Sequence, residues 1–206
     1  MRGQAGVGHH GRVDADQVAA LRALLAPTGW LERTRAFARA LRRAPASPGG
    51  LLLVGTPDDE PWHLAAHLDE ESRFAGIPEL APTLVRWKPA ADAPPHLRVG
   101  LARLEAAQRG EALFVVTPET APVPLLERVS DARRVGAVIL ALDQGDRDLE
   151  ELAHESLTVR AAADPVTFDA AQHLVSAAAG ERVPLSRRGV RERLARLLDV
   201  VSGPSA

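Results

Sequence analysis

Short apolar runs recur along this chain with amphipathic stretches between them, and no other feature limits its possible folds so strongly. Leu51-Leu52-Leu53-Val54-Gly55, Ala112 to Val116 (ALFVV) and Ala137 to Leu142 (AVILAL) are continuous apolar runs preceded by turn residues. Runs of that kind form strands buried on both faces, as in a parallel sheet. Leu84-Val85-Arg86-Trp87 and Ser156-Leu157-Thr158-Val159 read as two further strands. Helical spacing of apolar residues predicts helices over 61–75, 96–109, 124–135, 149–154 and 166–179, with two more over 14–43 and one over 190–200. The expected fold is therefore α/β: a five-stranded parallel sheet flanked by helices, a flavodoxin-type three-layer sandwich with right-handed crossovers. Ligands of such sheets gather outside the carboxyl ends of the strands, which singles out the loops 55–60, 117–122 and 143–148.

Composition narrows the function classes. The chain has 206 residues, which suits one compact domain over residues 15–201, with a disordered N-terminus over 1–14 and a disordered tail over 202–206. The formal charge is −2, from 25 basic and 27 acidic residues, so no net field favours nucleic acid or an anionic membrane. No apolar run approaches the roughly 20 residues of a membrane span, and the first residues lack a signal-peptide core. Cysteine is absent, which excludes disulfides, thiolate metal sites and a cysteine nucleophile, and fits a cytoplasmic protein. The fingerprints G-x-G-x-x-G, G-x-x-x-x-G-K-[ST] and G-x-S-x-G are all missing, so nucleotide cofactors and a hydrolase elbow are not expected.

The segment VVTPETAPVPLLERVSDARRVGAVILALDQGDRDLEELAHESLTV, from Val115, runs strand, polar loop, helix, Gly-Ala turn, strand, acidic loop, short helix and terminal strand. It resembles the second half of a sugar-isomerase (SIS) domain. The stretch LLLVGTPDDEPWHLAAHLDEESRFAGIPELAPTLVRW is similar to that family's first half. The resemblance spans roughly residues 15–180 and implies a five-stranded parallel sheet, a homodimer and recognition of phosphosugars. In active members a Ser-x-Ser-Gly-x-Thr loop cups the phosphate with hydroxyls and backbone N–H groups. An ungapped count back from Gly136 places this loop on Thr117 to Pro122, and here the chain departs from the pattern. Thr117 stands for the first hydroxyl, Glu119 falls on a phosphate-binding Ser, Thr120 on the Gly and Pro122 on the Thr. A carboxylate repels phosphate, and Pro118, Pro122 and Pro124 supply no N–H. In the first loop Thr56 matches the family's hydroxyl position, yet Asp58, Asp59 and Glu60 follow it.

Other polar residues are weighed by position. Asp143 ends the AVILAL run and is sited for ligand contact, and Trp62 beside the first loop is placed to stack on a sugar. The expected ligand-binding set is thus Thr56, Asp58, Trp62, Thr117, Glu119, Thr120 and Asp143. Some SIS isomerases resemble this chain in placing a catalytic His on a late helix, which makes His173, beside Gln172, the candidate base, against packing beside Ala170 and Leu174. His154 reads as structural. His63 and His67 share one helical face, but two histidines without a third fixed ligand make no site, and no metal and no cofactor are expected. The expected function is a non-catalytic SIS-like protein that binds a sugar-like ligand or a protein partner as a homodimer. The alternative is an active phosphosugar isomerase using Thr56, Thr117 and Thr120 for substrate and His173 as base, and a purely structural subunit is the third class.

Overall fold

The computed structural model describes residues 25, 28–160 and 163–181. The chain divides into a unit of residues 33–180 and a smaller one of 1–32 with 181–206. The expected frayed ends, the helix over 190–200 and most of 14–29 lie outside the described residues. In the smaller unit Thr28 caps a helix start: its hydroxyl donates to the Leu25 carbonyl at 2.6 Å and accepts from the Trp30 N–H at 3.3 Å.

Five strands form one sheet in the order β2-β1-β3-β4-β5: β1 (Leu51–Val54), β2 (Pro82–Val85), β3 (Ala112–Thr117), β4 (Val138–Asp143) and β5 (Glu155–Thr158). All pairings are parallel, and Leu51 sits in register with both Pro82 and Ala112. Six helices accompany them among the described residues: α1 (Trp30–Arg43), α2 (Trp62–Ala75), α3 (Ala102–Glu105), α4 (Val123–Val135), α5 (Arg147–Leu152) and α6 (Phe168–Gly180). The fold class is α/β with the doubly wound order in which the direction of winding reverses between β1 and β3. None of these helices is long and apolar enough to cross a membrane.

The two faces of the sheet bury different residues because successive side chains alternate. Leu52, Val54, Leu113, Val115, Ile139 and Ala141 form one core with Leu104 of α3, Leu125, Val129 and Ala132 of α4, and Leu149 of α5. Leu51, Leu53 and Phe114 are buried toward the other face, where the Phe37 ring of α1 meets that of Phe114 at 5.4 Å. The sheet grows one way from β1 to β2 and the other way from β3 to β5. With right-handed crossovers, α2 therefore falls on the face opposite α4 and α5. There α2 and α6 pack against each other. Leu64, Leu68, Ser72 and Ala75 make the buried stripe of α2, and Gly76, at φ 66°, closes the helix in the left-handed region.

Two expectations are corrected. β2 starts at Pro82 and ends at Val85 instead of running over 84–87. Proline is tolerated there because it is the first residue of an edge strand. The continuous helix expected over 96–109 is replaced by a 3-10 turn, Pro95–Leu97, and the one-turn α3. Its middle is drawn into backbone pairing: the Arg86 N–H donates to the Val99 carbonyl at 2.8 Å, and Arg86 bridges Gly100.

Candidate functional site

The loop after β1 is closed on itself. A Cβ on Gly55 would lie 2.1 Å from the Asp59 carbonyl oxygen and 2.6 Å from Cδ of Pro61, so only glycine fits. Across this turn the Thr56 N–H donates to the Asp59 carbonyl at 3.1 Å, and the Asp59 N–H donates to Thr56 Oγ1 at 3.1 Å. The Thr56 hydroxyl, expected to face a ligand, is buried and serves as the turn's own acceptor. Glu60, the last acidic residue of this loop, accepts from Arg86 Nε at 3.0 Å and from the Trp87 N–H at 2.9 Å. Trp87 Nε1 then donates to the Gly55 carbonyl at 2.8 Å. Trp62 is partly exposed, with the Arg86 guanidinium 4.5 Å from its ring centroid, so one face of the indole carries a cation. Asp58 is exposed.

The loop after β3 also bonds several of its own groups from within. Thr117 is fully buried; its hydroxyl donates to the Glu119 carbonyl and accepts from the Glu119 N–H at 3.2 Å. The Ala121 N–H donates to Asp146 Oδ2 at 2.6 Å. Asp146 Oδ1 accepts from the N–H groups of Asp148 and Leu149 at 3.1 and 3.2 Å, which caps α5. One carboxylate thus ties the loop after β3 to the loop after β4. The side chains of Glu119 and Thr120 are exposed. Asp146 went unnoticed in the sequence, although an Asp three residues before Leu149, directly after Gly145, is the ordinary signal of a helix start.

Asp143 lies across from Thr117 in the β3–β4 register and is fully buried. Its Oδ1 accepts from the Gly145 N–H at 2.7 Å and the Asp146 N–H at 3.3 Å, while Oδ2 is buried without a hydrogen-bond partner. Desolvation, with a smaller push from Glu150, raises its pKa above the ordinary carboxyl value, against the pull of the two N–H bonds. The folded state therefore holds this proton more tightly than the unfolded chain. The stability it adds is complete below the unfolded carboxyl value, about 3.9, and is lost as pH rises through the folded value. Asp143→Asn keeps the Oδ1 acceptor and removes the titration. Urea unfolding measured across the acid range should show a flatter fall in stability with rising pH for the variant; an unchanged slope would contradict this.

α2 and α6 bring three imidazoles together. The ring nitrogens of His63, His67 and His173 lie within 4.8 Å of one another. Ring centroids are 4.6 Å apart for His67 and His173, 6.0 Å for His63 and His67, and 6.3 Å for His63 and His173. His63 is exposed, His67 half-buried and His173 buried, with its Nε2 lacking a hydrogen-bond partner. The Asp169 carboxylate is 3.8 Å from that nitrogen. The pKa values of His67 and His173 are lowered, first by burial and then by a neighbouring imidazole, His63 for the former and His67 for the latter. Burial thus favours the uncharged form of both rings. His154 does structural work: its Nδ1 accepts the Ile139 N–H at 2.9 Å, and its own N–H donates to the Ile139 carbonyl at 2.8 Å.

No protein-family model matches the chain, and no curated protein matches its sequence. Among solved structures, a proposed phosphosugar isomerase from Silicibacter pomeroyi DSS-3 is similar, with 14% identity and a TM-score of 0.48. The alignment covers 90% of this chain and 55% of that one, so the chain spans about half its length. The fold class rests on the strand order and register described above.

Proposed function

We propose that this protein is a SIS-like domain that binds without isomerising, acts in the cytoplasm as a homodimer, and takes a neutral or cationic small ligand or a protein partner instead of a phosphosugar. One observation carries the reading: the Ala121 N–H, a donor that a phosphate would need, is bonded to the Asp146 carboxylate. The neighbouring Glu119 N–H is bonded to Thr117, the Thr117 hydroxyl donates and accepts inside its own loop, and the Thr56 hydroxyl accepts from Asp59 inside its own. An anion entering here would have to displace an internal carboxylate and approach the exposed Glu119 and Asp58. The alternative, an isomerase using Thr56, Thr117, Thr120 and His173, requires both loops to open before the substrate binds.

Thermal melting with inorganic phosphate and a panel of hexose and pentose phosphates tests the proposal. A ligand at about one hundred times its Kd stabilises a protein by about 2.7 kcal/mol, so real binding is visible. No member of the panel should raise the melting temperature. A rise with any sugar phosphate would overturn the reading.

A further inference from the structure

We propose that His63, His67 and His173 form a binding site for a divalent transition-metal ion, with zinc as the best-suited member of the class. This inference is independent of the SIS-like reading and concerns the face of the sheet that carries α2 and α6. His63 and His67 lie one helical turn apart, so their rings leave α2 on the same side. His173 reaches them from the buried stripe of α6, which supplies the third fixed ligand that the helical pair lacks.

Three properties of the cluster point to a cation of this kind. The first is donor chemistry: three imidazole nitrogens suit zinc, copper, nickel or cobalt, whereas calcium and magnesium take oxygen ligands. The second is the orphaned nitrogen. His173 is 3% exposed and its Nε2 is buried without a hydrogen-bond partner, a costly state that a coordinated metal relieves. The third is distance. Tetrahedral zinc with ligands at about 2.0–2.1 Å places its nitrogens about 3.3 Å apart. The present spread, 4.8 Å at most, closes to that by side-chain rotation, with His63 at the exposed end free to adjust.

The surroundings fit the same ion. Asp169 stands 3.8 Å from His173 Nε2, and Glu70 acts on His67, so carboxylates of opposite charge border the site. Three protein nitrogens leave a fourth position for water or for Asp169. Such open sites exchange their metal and present it to a further ligand, unlike the closed four-ligand sites that serve only structure.

The test uses full-length protein stripped with a chelator and then dialysed. Cobalt(II) is titrated while visible absorption is followed, and zinc is titrated by calorimetry. One ion per chain should bind, and cobalt should give the intense ligand-field bands of a tetrahedral nitrogen site. His63→Ala, at an exposed position, should keep the far-ultraviolet circular dichroism and urea midpoint of the parent. It should nevertheless bind zinc at least about tenfold more weakly, since losses outside the ligand shell alone reach that scale. His67→Ala should behave likewise. Absence of both the cobalt bands and saturable zinc heat overturns the proposal. So does zinc binding that is unchanged in both variants, because the ion would then sit on other histidines.

Discussion

Gly55→Ala is expected to lower the free energy of unfolding by about 3–5 kcal/mol, the sum of a backbone overlap and two lost hydrogen bonds. The added methyl would fall 2.1 Å from the Asp59 carbonyl oxygen and 2.6 Å from Pro61, neither of which can swing aside as a side chain would. Relief requires the turn to open, and opening breaks the two bonds between Thr56 and Asp59. It also moves the Gly55 carbonyl away from Trp87 Nε1. In urea, the midpoint should fall while the slope holds, the sign of a change in stability alone. A loss under about 1 kcal/mol, the range of an ordinary substitution, would mean that the turn relaxes freely and that its closure is not a fixed property of the fold.

Asp146→Ala should cost about 2–4 kcal/mol, because it removes a helix cap and strands a buried donor at once. The Asp148 and Leu149 N–H groups lose their acceptor at the start of α5, and the Ala121 N–H loses its partner in the loop after β3. Asp146→Asn should restore only part of the loss. Its single carbonyl oxygen can serve the cap or Ala121, and the amide nitrogen on the other side meets a donor with a donor. The graded order, parent above Asn above Ala in urea midpoint, checks that both carboxylate oxygens are used. Equal midpoints for Asn and parent would show that the Ala121 bond adds nothing.

Much of the sheet was legible because its strands are buried on both faces. Continuous apolar runs such as LLLV and the VILAL of β4 read as buried strands once turn residues bound them. The edge strand was harder, since Pro82 and Thr83 lack an apolar signature and Arg86 and Trp87 owe their places to Glu60, far along the chain. The helix over 96–109 failed for a related reason: Val99 and Gly100 pair with the backbone of Arg86, and tertiary pairing overrides local propensity. At the candidate site, the sequence named Thr56 and Thr117 by position, but where a hydroxyl spends its hydrogen bonds depends on how the loop folds back. The histidines divide in the same way. The pair His63 and His67 follows from helical spacing, whereas the approach of His173 depends on α6 packing against α2.

These observations describe a doubly wound sheet whose carboxyl-edge loops bond several of their own donors internally, while three histidines from α2 and α6 cluster together. The central claim is that the Glu119 and Ala121 N–H groups of the loop after β3 are bonded within the protein and are not offered to a phosphate. Amide chemical shifts of Glu119 and Ala121, followed while inorganic phosphate and the sugar phosphates of the melting panel are added, test it most directly. Both amides should stay in place across the titration. Saturable movement of either one on adding a sugar phosphate would show that the donors are available to a ligand and would contradict the account.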